Sequence, residues 1–248
     1  GKIEGLKFMI DNIFKDKSGT STDFQFDKRV VDVFDDMVVR SVPYYLEIQR
    51  MMVELASAFV KPDTNLYDLG CSTGTTLISI SKNIDKSVNF VGIDESPQML
   101  EKCANNFELN KVQQSYSLKS FDLNEGVEIE NASVVVLCLT LQFVRPLNRA
   151  KLIQSIYDQM NKGGAIILVE KVLGEGNSFN RKFIDYYYDY KRRNDYNEME
   201  IAQKREALEN ILIPYKLSEN IRLLTDAGFK ECETFFKWYN FSGLVAVK

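Results

Sequence analysis

The stretch Leu66-Tyr67-Asp68-Leu69-Gly70-Cys71-Ser72-Thr73-Gly74 restricts this chain more than any other. It reads as the end of a buried strand, a tight glycine turn and the start of a helix. Gly70 permits a positive φ or a close backbone approach that a Cβ would block. Gly74 lets the following helix sit near the strand, and Ser72 and Thr73 are placed to cap its first amides. Open amides at a helix start form a polar landing site for a ligand. The loop is not a dinucleotide fingerprint, which needs Gly-x-Gly-x-x-Gly, nor a phosphate loop, which needs Gly-Lys-Ser/Thr. Its glycines are spaced Gly-x-x-x-Gly and no lysine follows Gly74. Asp68, just before the turn, suits a ligand with a cationic or hydroxyl group.

About twenty residues further on, Asn89-Phe-Val-Gly-Ile-Asp94 reads as a second apolar strand, ending in an acid placed to hold two ribose hydroxyls. Ser96-Pro97 then starts a helix through Met99, Leu100 and Cys103. The alternation continues with a third strand near Tyr116 to Leu118 and a central apolar strand from Ala132 to Leu139. A helix from Leu147 to Met160 and a fifth strand from Ala165 to Val169 follow. Strands alternating with helices predict an α/β chain whose mostly parallel sheet is covered on both faces. Ligands of such sheets bind at the carboxyl ends of the strands. That edge collects Asp68, Asp94, Asp122 after strand three, and Cys138-Leu139-Thr140-Leu141-Gln142-Phe143 after strand four. Asp122 is placed to accept from an adenine amino group or to cap its own loop. The plain alternative for Asp68 and Asp94 is helix capping.

Ahead of the first strand, Asp27 can cap a helix carrying Val30, Val33, Phe34, Met37 and Val38, closed by Ser41-Val42-Pro43. A second helix carries Ile48, Met51, Met52, Leu55 and Phe59; the pair would cover the ligand cleft and is a lid candidate, the alternative being plain core packing. Residues 1–24 read as a remnant before a native start at Met9 plus a polar, flexible arm, and residues 25–248 as a single domain. From about Asn177 to Tyr215 the alternation is interrupted by a helical insertion. Its aromatic stripe is Phe179, Phe183, Tyr186, Tyr187 and Tyr190, with Lys191-Arg192-Arg193 behind it as a solvated basic face. Ser218 caps the next helix, and a terminal hairpin, Glu231 to Tyr239 and Leu244 to Val247, closes the chain.

The 248 residues contain no histidine, which removes histidine triads, histidine general bases and histidine metal sites; no metal is expected. A net charge of −4 gives no footing for direct nucleic-acid or membrane binding. The four scattered cysteines, with no signal segment read, fit reduced thiols in the cytoplasm.

Strand-Asp-x-Gly followed by strand-Asp resembles the S-adenosylmethionine-dependent methyltransferases. That likeness implies a Rossmann-like class I fold: a mostly parallel seven-stranded sheet, an antiparallel C-terminal hairpin, N-terminal lid helices and a helical insertion before the last strands. A narrower set of segments resembles one family, the carboxy-S-adenosyl-L-methionine synthases. These are Phe26 to Phe34, Arg40-Ser-Val-Pro-Tyr-Tyr45, Tyr67 to Ser72, Thr140-Leu-Gln-Phe143, Gln203-Lys-Arg205 and Leu208-Glu-Asn210. The glycine loop is shared by methyltransferases at large; Arg-Ser-Val-Pro-x-Tyr with Gln-Lys-Arg is far more specific.

The resemblance implies conversion of S-adenosyl-L-methionine and prephenate to carboxy-S-adenosyl-L-methionine and phenylpyruvate. It further implies a homodimer whose product passes to a tRNA carboxymethyltransferase acting on a wobble uridine. Carried over by position, cofactor contacts fall on Tyr45, Gly70, Cys71, Ser72, Asp94, Glu95, Asp122, Leu123, Cys138 and Arg205. Arg205 becomes the catalytic clamp on the new carboxylate and Tyr45 its hydrogen-bond donor, with Arg40 a weaker candidate for holding prephenate. Cys138 stands where the family commonly has asparagine, and a thiol is a poor hydrogen-bond partner. Glu95 likewise replaces a smaller polar residue. A conventional methyltransferase and a non-catalytic cofactor-binding protein are the alternatives.

Overall fold

The computed structural model describes residues 34–208 and 211–248. The leader, the polar arm and the Asp27 cap lie outside them, as do Glu209 and Asn210. Two helices lead into the sheet, α1 (Phe34–Ser41) and α2 (Tyr45–Phe59). Five strands then run parallel: β1 (Asn65–Leu69), β2 (Asn89–Asp94), β3 (Tyr116–Ser120), β4 (Ala132–Cys138) and β5 (Ala165–Leu173). Between them lie α3 (Thr75–Ser81), α4 (Pro97–Leu109) and α5 (Pro146–Gln159). The insertion supplies α6 (Asn177–Arg193) and α7 (Glu198–Leu208), a two-residue strand β6 (Tyr215–Lys216), and then α8 (Leu217–Ala227). The terminal hairpin is β7 (Glu231–Trp238) and β8 (Phe241–Val247), with β8 antiparallel between β5 and β7.

The sheet order is β3-β2-β1-β4-β5-β8-β7. Beside this expected seven-stranded path, β6 adds a short eighth strand by pairing Tyr215 and Lys216 with Val172 and Leu173. The chain therefore has the Rossmann-like class I methyltransferase fold. Strand periodicity explains why both faces are covered. Tyr67, Leu69, Val135, Leu137, Ile166 and Leu168 point to the side of α5 and α8. Leu66, Val134, Val136, Ile167 and Val169 point to the side of α2, α3 and α4. Asp68 follows Leu66 by two residues and so faces α2.

Three local expectations need correction. Ser72 and Thr73 do not cap α3: its N-cap is Gly74, and the Thr73 hydroxyl instead donates to Asp35 Oδ1 at 2.6 Å. Ser218 is not the cap of α8, because its amide and hydroxyl both bond Glu175, while the Glu219 carboxylate accepts from the Lys216 amide. Strand β5 runs four residues past Val169, since Glu170 and Lys171 keep their register with Ser242 and Phe241 of β8. Ser96 does cap α4, accepting from the Met99 amide, with Pro97 at the first helical position.

At Gly70 φ is +82°, and an added Cβ would lie 2.2 Å from Thr140 Oγ1. Gly70→Ala is expected to cost roughly 2 to 4 kcal/mol in urea unfolding. The control Gly176→Ala, with nothing within 4 Å of its added Cβ, stays within about 1 kcal/mol.

Candidate functional site

The carboxyl ends of β1, β2, β4 and β5 open into a cleft roofed by α1, the start of α2, and the insertion helices. Its cavity volume of about 260 Å³ is many times the ~10–15 Å³ that holds one water, so it has room for a small-molecule ligand. Tyr45, Gly70, Cys71, Ser72, Asp94, Glu95, Asp122, Leu123 and Cys138 all line it. Nine of the ten residues singled out from sequence thus converge here. The tenth, Arg205, does not line this chain's own cavity: its side chain is exposed, with the guanidinium 5.8 Å from the Tyr188 ring centroid. Successive helical residues are about 100° apart, so when Lys204 faces the cavity Arg205 turns outward.

Asp94 holds the turn together. Its Oδ2 accepts from the Ser72 amide and its Oδ1 from the Ser96 amide, both at 3.0 Å. Burial raises the Asp94 carboxyl above the ordinary range, and these two amides oppose that rise. The amides of Gly70 and Cys71 both reach Ile93 O, at 2.7 and 3.0 Å, which draws the turn across β2. Ser72 sits at φ 50° and Leu139, at the end of β4, at φ 59°. Left-handed backbone in non-glycine residues is costly, and here it occurs on both sides of the cleft.

Asp68 is 2 % exposed, and its Oδ1 has no hydrogen-bond partner among the described residues. Burial, then the charge of Asp94, pushes its carboxyl up to about 7. A buried, incompletely bonded carboxylate beside a glycine cradle fits a cationic or hydroxylated ligand. Asp122 Oδ1 accepts from the backbone and side-chain nitrogens of Asn124, so Asp122 caps its loop while also lining the cavity. Glu95 lies at the exposed rim, its carboxyl raised by partial burial and by Asp122 and Asp94.

Cys138 is a neutral thiol, pushed well up by burial and then by the charges of Asp68 and Glu170. Burial also raises the Tyr45 phenol, reinforced by Cys138 and Asp35, so Tyr45 is a hydrogen-bond donor at neutral pH. The Cys71 side chain is buried, next to the Cys103 thiol in the core on the side of α2, α3 and α4.

The opposite wall was not read from the sequence. Lys171 of β5, Lys191 of α6 and Lys204 of α7 line the cavity with Ser41 and Tyr187. Lys191 belongs to the run expected to be solvated; it is buried, and only Arg192 and Arg193 are exposed. The one signal available was Lys171, next to Glu170 at the end of an apolar strand. Arg40 faces the insertion, donating to the carbonyls of Asn194 and Asp195, both at 3.2 Å. Ser41 is a junction: its O accepts from Tyr187 Oη at 2.7 Å, and its Oγ lies 3.0 Å from Tyr196 Oη.

Sheet order, the acid-glycine turn and the second-strand acid define a methyltransferase-type domain at the S-adenosylmethionine edge of the class I fold. Residues 66–164 match the family model described as a methyltransferase domain. Among solved structures, an O-methyltransferase family protein from Burkholderia thailandensis superposes with a TM-score of 0.66 at 15% identity, over 99% of this chain and 68% of that one. Human N-acetylserotonin methyltransferase superposes at 0.57 and 16% identity, over 89% and 55%. These likenesses establish the fold.

The sequence relatives go further. The chain is 52% identical over 239 residues to carboxy-S-adenosyl-L-methionine synthase of Methylococcus capsulatus, covering 96% of this chain and 99% of that one. It is 42% identical to the Desulfotalea psychrophila synthase, covering 96% and 97%. The chain belongs to the carboxy-S-adenosyl-L-methionine synthase family and is a transferase-type enzyme. Among the described residues no helix is long and apolar enough to cross a membrane.

The raised carboxyl of Asp68 makes a pH prediction. A buried acid held near 7 contributes stability that is whole below about pH 4 and is lost as pH rises through 7. Ligand-free protein should therefore lose stability relative to Asp68→Asn between pH 5 and 8, on the order of 2 to 3 kcal/mol. Urea unfolding across that range checks it; a pH-independent difference would count against the buried, unpartnered carboxylate.

Proposed function

We propose that this protein converts S-adenosyl-L-methionine and prephenate to carboxy-S-adenosyl-L-methionine and phenylpyruvate. The observation that carries this reading is the charge separation across one cavity: Asp68, Asp94, Glu95 and Asp122 on one side, Lys171, Lys191 and Lys204 on the other. A conventional methyl transfer has no need of cations around the methyl, since the sulfonium is already positive. A substrate and a product that carry carboxylates do need them. The near full-length identity to proteins named for this activity supports the same reading.

In this reading Asp94 takes the ribose hydroxyls, Asp122 the adenine amino group, and Asp68 the ammonium of the methionine part. Gly70, Cys71, Ser72 and Leu123 offer backbone at the cradle, and Cys138 contributes no strong side-chain hydrogen bond. Prephenate loses its ring carboxylate as carbon dioxide and its ring hydroxyl as hydroxide, leaving phenylpyruvate. The hydroxide takes a proton from the sulfonium methyl to give water, and the resulting carbanion attacks the carbon dioxide. Atoms and charge balance without a protein base, which suits a chain lacking histidine. The protein supplies position and electrostatics.

Tyr45 donates to the new carboxylate, and Arg205 clamps it from a neighbouring chain of a homodimer. The outward turn of Arg205 supports the second assignment, as do the exposed Phe179 and Met199 on the insertion. The product then passes to a cytoplasmic tRNA carboxymethyltransferase. The acidic balance of this chain supports its not touching tRNA itself.

A mass spectrum of the small molecule released by denaturing fresh protein is expected to show a species one carboxyl unit heavier than S-adenosylmethionine. S-adenosylmethionine or its demethylated product alone would point to conventional methyl transfer. Arg205→Ala is expected to keep S-adenosylmethionine binding and lose the carboxylated ligand; full retention of that ligand would remove Arg205 from the clamp.

A further inference from the structure

Three amines crowd the end of the cavity away from the carboxylates. Lys191 and Lys204 are only 4 % and 7 % exposed, and Lys171 is partly buried beside them. Their contacts are neutral. Lys171 and Lys191 place Nζ 4.6 and 5.0 Å from the Tyr187 ring centroid. Lys191 and Lys204 stand 5.4 and 5.5 Å from that of Tyr196. Lys204 Nζ donates to Ser41 Oγ at 2.6 Å. None of the three forms an ion pair with a carboxylate among the described residues. Glu200, the buried acid on α7, accepts from the Asn197 amide, and Arg40 adds a further positive group 4.2 Å over Tyr196.

Buried like charges without counter-charges are costly. Here burial, then mutual repulsion, drives Lys191 well below the usual lysine range and Lys204 down to about 7; burial brings Lys171 to about 8. Such a group is relieved when anions enter among its members, and a single carboxylate has two oxygens to share between them. Three amines on three different elements, converging on one wall, match a ligand with two separated carboxylates.

We propose that Lys171, Lys191 and Lys204 form the subsite for the carboxyl source and select a dicarboxylate dianion over a monocarboxylate. This rests on the synthase reading and assigns the substrate side of it to residues. It also gives release a driving force. The reaction turns a dianion into a monoanion on this wall, so the spent substrate loses an ionic contact as it forms, while the carboxylate it gave up leaves with the sulfonium.

The test is calorimetric titration of prephenate and of phenylpyruvate into protein saturated with S-adenosylhomocysteine, which lacks the methyl and blocks turnover. Wild type is expected to bind prephenate at least about tenfold more tightly than phenylpyruvate. Lys204→Met and Lys191→Met should each bring the two affinities within about threefold, with S-adenosylhomocysteine affinity kept and the unfolding midpoint unchanged or raised, and Lys204→Arg should retain the preference. Equal affinities in wild type, an unchanged ratio in both methionine variants, or a parallel loss of S-adenosylhomocysteine binding would each overturn the subsite. Product mass spectrometry with wild type keeps the two readings apart. Carboxylated product without a dianion preference removes the subsite alone; a dianion preference without that product removes the synthase reading, and with it the carboxyl-source role, and leaves a dicarboxylate-selective wall.

Discussion

The two hydrogen bonds that the Asp94 carboxylate accepts from the amides of Ser72 and Ser96 fix the relation between the first two strands and everything built on their carboxyl ends. One side chain at the end of β2 holds the turn after β1 while organising the start of α4. The turn can bend this sharply because Gly70 takes a left-handed conformation and leaves room for Thr140, whose hydroxyl reaches Leu69 O at 2.7 Å. Strands one, two and four are thereby tied at the edge where a ligand must sit. The rest of the sheet provides the stiffness behind it: β4 is buried along all but its last residue, and β5 is flanked by β4 and β8.

Much of this was legible in the residues. The alternation of apolar strands and helices gave the parallel sheet, and the spacing of Asp68, Gly70 and Asp94 located the cleft. What failed did so for physical reasons. A helix displays its phase only when one face is apolar, and α7 mixes Ile201, Lys204, Ala207 and Leu208 with no clear stripe. Sequence therefore could not say whether Lys204 or its neighbour Arg205 turns inward. A buried lysine and a solvated one are also written the same way, so Lys191 looked like part of an outer basic run. Thr73 looked like a cap until Asp35, distant in sequence, claimed its hydroxyl.

The cavity's electrostatics are hidden by the composition for a related reason. The chain as a whole is acidic, yet the rings of Tyr187 and Tyr196 collect positive groups from α1, β5, α6 and α7. Net charge describes what the surface shows to large partners; a desolvated cleft of a few side chains sets its own field. The acids at one end and the amines at the other give the two ends opposite chemical appetites, so two dissimilar ligands can be oriented in one space without competing.

The bonds that meet at Ser41 bear on how that space is reached. Ser41 receives Tyr187 of α6 and Lys204 of α7, while Arg40 and the Asn194 side chain exchange hydrogen bonds with each other's backbone. The entry helix and the insertion are far apart in the chain but are riveted together above the sheet. A motion that opened the cleft between them would have to break these bonds, whereas one that moved the entry helix and the insertion together would keep them.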